Sequence, residues 1–346
     1  MFAGLGCPGL PNGREGARAC SGIRVCRERD AQTARRWQAI DPLLPRPAVL
    51  PPGCGAALSV TTGGQQVALG SCEHWQVELG SLEMSWGAAL RFRLTSQVSG
   101  PDTGGALDRL LSEWHAHLAG LPGADGEDTA AIVVWPSRDI DAVRPLLRHG
   151  FTPLAVIAAR TTAARPDQAG RGGRPAGTRE EVPGVRIRRA GPADTDTVAR
   201  LGHEVIRYDG YFGGVTDRPG TAAAMRREAA ALLAGPRPWV WLAERDTAPI
   251  GLLAAERPEA AGWIAPMAGQ APVCYLTFMF TEPGERGRGV GAALCARLHA
   301  DVVAAGVPVT LLHYAPANPL SVPFWSRQGY RPLWLAWEAR PVASLR

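Results

Sequence analysis

Lysine is missing altogether: all 37 basic residues of this 346-residue chain are arginine. The absence reads as a GC-rich coding bias, and it lowers the information carried by any single arginine. No run of roughly eighteen apolar residues occurs, which excludes a membrane-spanning helix. The N-terminus lacks the apolar stretch of a secretory signal, so a cytoplasmic protein is expected. The seven cysteines are an odd number without a Cys-x-x-Cys pair, so the close ligand spacing of a structural zinc site is lacking. Cys274 and Cys295 fall in a strand and a helix, where buried free thiols are common. No metal is expected.

Basic charge is also scarce where it would matter for nucleic acid. The net charge is +5. Residues 1–46 hold eight arginines against four acids, and residues 161–184 hold four against three, which together account for the whole excess. The remainder is near neutral and shows no reading module, so a nucleic-acid partner is not expected. With 46% hydrophobic and 20% charged residues the chain is of the soluble globular class, and its length allows two domains.

What is present is concentrated in Val273 to Leu294, VCYLTFMFTEPGERGRGVGAAL. The aromatic and β-branched run Val273–Thr281 reads as a strand ended by Pro283 and Gly284. From Ala292 onward, Leu294, Leu298 and Val302 recur at four-residue steps, one face of a helix. Between them lies Arg286-Gly287-Arg288-Gly289-Val290-Gly291. A glycine-rich turn opening a helix aims several backbone N–H groups at one place, with no Cβ atoms to block a close ligand. This is an anion site suited to a pyrophosphate.

This Arg-x-x-Gly-x-Gly loop, with a strand before it and an amphipathic helix after, resembles the acyl-CoA loop of the GCN5-related N-acetyltransferase (GNAT) superfamily. The family's order is met elsewhere too. Val185–Asp194 is similar to its first strand and first helix cap, and Trp239–Ala243 and Ile250–Glu256 to its second and third strands. Val309–Tyr314 is similar to its fifth strand, and Asn318 to Tyr330 to its Asn-x-x-Ala-x-x-Phe-Tyr-x-x-x-Gly-Phe ending. The resemblance covers about residues 185–342. It implies an α/β fold of the α+β type: a mixed β-sheet with flanking helices and a cleft splayed between the family's fourth and fifth strands. Acetyl-CoA would bind there as co-substrate.

Residues 1–28 read as a disordered tail, with a short helix over Ala31–Ile40. Thr161–Gly184 has the Pro/Gly/polar composition of a linker, leaving domains at 30–160 and 185–346. The first resembles a degenerate copy of the second. Arg148-His149-Gly150-Phe151-Thr152-Pro153-Leu154 matches Arg327-Gln328-Gly329-Tyr330-Arg331-Pro332-Leu333 as Arg-x-Gly-aromatic-x-Pro-Leu. Leu107–Leu118 would correspond to the helix after the loop, and Ala88–Val98 and Thr129–Trp135 to strands. No Arg-x-x-Gly-x-Gly occurs in this copy. A helix stop followed by a strand gives the same pattern, since glycine is the default residue there.

By the resemblance, Met279 and Thr281 offer main-chain hydrogen bonds to the cofactor. Amides from Gly287 to Ala292, including Arg288, Gly289, Val290 and Gly291, hold the pyrophosphate with help from the Arg286 and Arg288 charges. The family's base positions on the fourth strand are here Tyr275 and Thr277, neither of which is Glu or His. A phenol with an unperturbed pKa near ~10 is a weak base, so Tyr275 reads as a cleft wall or as a holder of water. The family's acid position is Trp325, and indole is not a usable acid. Tyr314 is the preferred substitute, with Tyr330 and His313 as others. Asn318 either caps the following helix or bonds the cofactor.

The acceptor side falls to Val205–Gly220, where Tyr208, Asp209, Tyr211 and Phe212 put phenols, a ring and a carboxylate within five residues. Such a set suits a cationic or aromatic amine, and equally a glycine-rich loop with packed aromatics. The expectation is an acetyl-CoA-dependent N-acetyltransferase for an amine, by direct transfer in a ternary complex. The alternative is a non-catalytic acyl-CoA-binding regulatory module. The acceptor and the oligomeric state stay open.

Overall fold

The structure is a computed structural model and describes residues 22–47, 56–162 and 181–346. Most of the expected tail and linker lie outside these residues. In chain order the main elements are α1 (Gly22–Ile40), β1 (Ala56–Thr62), β2 (Gln65–Gln76), β3 (Leu90–Val98), α2 (Thr103–Leu118), β4 (Thr129–Pro136), α3 (Val143–Arg148) and β5 (Thr152–Thr161). There follow β6 (Arg186–Arg189), α4 (Thr195–Asp209), α5 (Thr221–Leu233), β7 (Val240–Arg245), β8 (Ala248–Glu256), β9 (Val273–Thr281), α6 (Val290–Ala304), β10 (Val309–Tyr314), α7 (Ser321–Arg327) and β11 (Arg331–Ala339). The helix α1 begins at Gly22, inside the stretch expected to be a disordered tail. Among the described residues no helix is long and apolar enough to cross a membrane.

The chain forms two compact units that are not separated by one cut at the linker. The first contains the described residues up to Val77, then Ala88–Val156 and Leu333–Arg346. Its sheet runs β1-β2-β3-β4-β11. The β3–β4 pair is parallel, while β11 lies antiparallel on β4 with Trp334 opposite Pro136 and Ala339 opposite Ala131. The amphipathic face of α2 closes this core: Leu107, Leu110, Leu111 and Trp114 are buried with Phe151 and Trp337.

The second unit contains Glu78–Gly87 and Ile157–Pro332. In it β6, β7, β8 and β9 pair antiparallel in sequence, and β9 pairs parallel with β10. The end of β5 borders β10, where the Thr162 N–H donates to the Pro308 carbonyl at 3.0 Å. Each unit's sheet therefore includes a strand from the other half of the sequence. Helices α4 and α5 pack Val198, Leu201, Ile206, Met225, Ala229 and Leu233 against Val240, Leu242, Leu252, Phe278 and Phe280.

The two Arg-x-Gly-aromatic segments have one geometry. Gly150 (φ 87°) and Gly329 (φ 85°) follow α3 and α7 in the left-handed region. In each case the glycine N–H bonds three residues back and the next N–H five residues back: Gly150 to Leu147 and Phe151 to Leu146, Gly329 to Ser326 and Tyr330 to Trp325. Both are Schellman helix stops, which need a residue tolerant of positive φ.

Candidate active site

The strand β9 is paired with β8 from Tyr275 to its end at Thr281, but its pairing with β10 stops early. The parallel register runs from Val273–Val309 to Leu276–Leu312, whereas β9 continues to Thr281 and β10 to Tyr314. The stop coincides with an irregularity on the other edge. Ala254 lies opposite Phe278 and Ala255 opposite Leu276, so Thr277 is an extra residue. A bulge of this kind bends the strand and adds twist, which carries the end of β9 away from β10. Its hydroxyl is buried without a hydrogen-bond partner. The bulge also resets the two-residue alternation, so faces assigned before Thr277 do not carry past it. Phe278 and Phe280 face the α4–α5 core, while Met279 Sδ lies 3.7 Å from Cys295 Sγ of α6.

The glycine-rich loop sits at the open end of this split. Pro283–Glu285 makes one 3-10 turn, and α6 starts at Val290 with Gly289 as its N-terminal cap. Gly287 (φ 76°) and Gly289 (φ 93°) are both in the left-handed region, which turns the chain back onto the helix axis. A Cβ at Gly287 would meet nothing within 4 Å, so the space in front of the loop is open. No side chain caps α6. The N–H groups of a helix's first turn have no partner within the helix, and Gly289, Gly291 and Ala292 are only partly buried here. Val290 and Ala293 turn their side chains into the core.

Two acids follow β9 directly, and both are engaged. Arg245 makes a fork with Glu285, Nε to Oε1 at 3.0 Å and Nη2 to Oε2 at 2.9 Å, and this hydrogen bonding holds the carboxyl below its usual range. Glu282 lies 3.5 Å from Arg200. Arg288 is exposed and Arg286 is half-buried. The Arg286 Nε donates to the Thr281 carbonyl at 3.1 Å, and its guanidinium lies 4.8 Å from the Tyr208 ring centre.

The end of α4 thus rests against the loop, and it also reaches the segment after β10. Asn318 Nδ2 donates to Asp209 Oδ1 at 3.3 Å, while Asn318 Oδ1 accepts from the Leu320 N–H at 3.0 Å. Asn318 is therefore a turn-forming residue ahead of α7 and a partner of Asp209 at once. Burial pushes the Asp209 carboxyl up to about 6, against the lowering effect of Asn318. Tyr208 stacks edgewise with Tyr211 and Phe212, and Tyr211 is 82% exposed. Of the expected acceptor set, Tyr208 lies against Arg286 and Asp209 against Asn318, while Tyr211 faces solvent.

The proton-transfer candidates separate by burial. Tyr275 is fully buried, with its hydroxyl 2.9 Å from His313 Nδ1 and its ring edgewise to Trp263 at 4.9 Å. Desolvation raises its pKa well above the ordinary phenol value and pushes His313 down to about 3. A phenol so placed is packing, neither base nor exposed wall. Tyr330 is likewise buried, its hydroxyl 3.1 Å from His299 Nε2 beneath α6, and Trp325 packs on its ring. Tyr314 is half-buried at the end of β10, beyond the last β9–β10 pair, and desolvation raises its pKa. The Tyr275–His313 pair and the Arg245–Glu285 fork escape sequence reading because both depend on strand register. The bulge escapes it because the apolar run through Thr277 is unbroken.

Glycines with positive φ, an open space before them, uncapped N–H groups and a buried unpartnered hydroxyl fit a diphosphate with an extended chain lying in the strand split. Residues 209–330 match the family model described as the acetyltransferase (GNAT) family. Among solved structures, a GCN5-related N-acetyltransferase from Sphaerobacter thermophilus aligns over 91% of this chain and 92% of its own, at 14% identity and TM-score 0.54. Another from Ralstonia eutropha JMP134 covers 43% of this chain and 94% of its own, at 25% identity and TM-score 0.33. A third from Kribbella flavida covers 95% and 100%, at 14% identity and TM-score 0.40. No curated relative matches the chain in sequence. The mixed sheet with flanking helices is thus the fold of the Sphaerobacter thermophilus structure, and the segment 209–330, which holds the strand split and the glycine-rich loop, is the part similar to the GNAT family.

Proposed function

We propose that the second unit is an acetyl-CoA-dependent N-acetyltransferase that acetylates an amine by direct transfer in a ternary complex. The observation that carries this reading is the start of α6, uncapped by any side chain, just past the point where β9–β10 pairing ends beside the Thr277 bulge. Bound acetyl-CoA would supply the thioester carbonyl that the amine attacks. The amides of Gly287 to Ala292 and the exposed charge of Arg288 hold its diphosphate. The unpaired edge of β9 at Met279 and Thr281 orients the chain beyond it. Fixing thioester and amine side by side supplies much of the rate, because a bimolecular encounter becomes unimolecular.

Proton handling falls to residues at the edges of the split. Tyr314, kept protonated by partial burial, donates to the leaving thiolate. Asp209, with a pKa of about 6, is ionised near neutral pH and basic enough to hold an ammonium or receive its proton. The amine enters over Tyr208 and Asp209, with Tyr211 at the rim. The first unit serves as a GNAT-like scaffold that has lost its phosphate loop, so the protein is of the tandem type.

A second reading, an acyl-CoA-binding regulatory module, is favoured by two facts: the family's acid position is Trp325, and Tyr275 is sealed in the core. Acetyl-CoA at about 100 times its Kd should stabilise the protein by about 2.7 kcal/mol, read as a rise in Tm. Turnover of a panel of primary amines then decides between the readings. Stabilisation with no acetylated amine supports the module, and no stabilisation overturns both.

A further inference from the structure

The segment Glu78–Gly87 lies in sequence between β2 and β3, strands of the first unit, yet it belongs to the second unit. Its base is closed by the Val77 N–H donating to the Ala89 carbonyl at 2.8 Å. From there it makes a 3-10 turn at Leu82–Trp86 and meets the stretch between α4 and α5. That stretch, residues 210–220, contains Gly213, Gly214 and Gly220 at positive φ and only one short 3-10 turn at Gly210–Phe212. Such a loop has little structure of its own, and ordering it is costly in backbone entropy.

The partners that order it are on Glu78–Gly87. The Thr216 N–H donates to the Ser85 carbonyl at 2.8 Å. Arg218 Nε donates to the Met84 carbonyl at 2.7 Å and its Nη2 to the Gly87 carbonyl at 3.0 Å, capping the end of the 3-10 turn. Ser85 Oγ lies 2.9 Å from Thr221 Oγ1, which in turn accepts from the Arg218 N–H at 2.9 Å. Trp86 is inserted into the core made by α4, α5 and β9, with its ring 6.3 Å from Phe278, the residue after the bulge. Its indole N–H has no hydrogen-bond partner, so apolar packing alone seats it. Val215 and Leu82 pack against the same core.

We infer that Glu78–Gly87 is a positioning element for the acceptor loop: it holds residues 210–220, and with them the approach to Tyr208 and Asp209, in the shape that selects the amine. None of these anchoring contacts involves the glycine-rich loop before α6, so cofactor binding and acceptor selection are separable. This inference rests on the acetyltransferase reading.

The test compares the full-length protein with Arg218→Ala, which removes two of the anchoring bonds, and with Ser85→Ala as a milder variant that keeps the core. Two readouts are taken: hydrogen exchange at residues 210–220, and initial rates with tyramine, spermidine and glycinamide as amine probes. Exchange at 210–220 should rise at least tenfold in Arg218→Ala and less in Ser85→Ala. The KM for the preferred probe should rise several-fold, its advantage over the others should shrink, and kcat and the acetyl-CoA thermal shift should stay within about twofold. Unchanged exchange at 210–220, an unchanged ranking of the probes, or a parallel rise in the KM for acetyl-CoA overturns the inference. Should Arg218→Ala fail to fold, Ser85→Ala decides by the same readouts. Loss of the acetyl-CoA shift in the wild-type protein marks failure of the acetyltransferase reading instead, and the exchange comparison still judges the anchoring.

Discussion

The two units carry the same strand–helix–strand step and end it differently at the helix start. In the first, the parallel β3–β4 register stops at Leu94–Val133 although β3 runs on to Val98, as β9–β10 stops at Leu276–Leu312. The helix after β3 is closed by its own acid: the Gly105 N–H donates to Asp102 Oδ1 at 2.8 Å. Asp141 stands beside it, accepting from Thr103 Oγ1 at 3.1 Å, and a Cβ at Gly104 would lie 3.0 Å from the Asp141 carbonyl. A phosphate at α2 would meet carboxylates where it needs donors. At α6 no side chain caps the helix, and the nearby Glu285 is neutralised by Arg245. On the proposed reading, a strand split is therefore not enough for an anion site. The helix tip must also be left bare.

Substitutions at the two tips put this contrast at risk most directly. Gly289→Glu places a carboxylate at α6 as Asp102 does at α2, and it should abolish the acetyl-CoA stabilisation of about 2.7 kcal/mol. A folded variant that still responds like wild type removes the loop from cofactor binding. Tyr314→Phe probes the strand ends, since β10 closes on a phenol and β4 on Trp135 and Pro136. Turnover should fall on the order of 100-fold with acetyl-CoA binding kept, as for loss of a general acid. Equal turnover would leave that proton to water.

A third measurement sharpens the account of the second unit alone. Asp209 has a folded pKa of about 6, above its value in the unfolded chain, so the folded state binds the extra proton between pH 4 and 6. Its contribution to stability is present below about pH 4 and is lost as pH rises through 6. Asp209→Asn should then exceed wild type by about 1–2 kcal/mol at pH 7.5, with no gain below about pH 4. Denaturant melts at the two pH values check this, and a gain independent of pH would refute it. The smallest effect is at the first unit's tip, where Asp102→Ala should cost about 1 kcal/mol as a lost helix cap and leave the acetyl-CoA response untouched. A changed response would give the first unit a part in cofactor binding.

Much of this was legible beforehand. The strand Val273–Thr281 is found where its β-branched and aromatic run places it, and Val309–Tyr314 where the resemblance to the family's fifth strand does. The helix after the loop begins at Val290 rather than Ala292, because Gly289 and Gly291 hide the periodicity of its first turn. The Arg-x-Gly-aromatic pattern announces a helix stop and a strand, and both are there. It is silent on the sheet that strand joins, so the placement of β11 beside β4 was not foreseen. The pairing of Tyr275 with His313 and the clamp of Arg218 on Glu78–Gly87 likewise join residues far apart in sequence.

Local chemistry determined the elements and the glycine-rich loop before α6, because glycine, proline and side-chain branching act within a few residues of backbone. The tertiary structure decided which phenol stays reachable, which carboxyl has its pKa raised to about 6, and which distant segment is hydrogen-bonded to residues 210–220. Those properties follow from burial and register, and only the assembled core sets either.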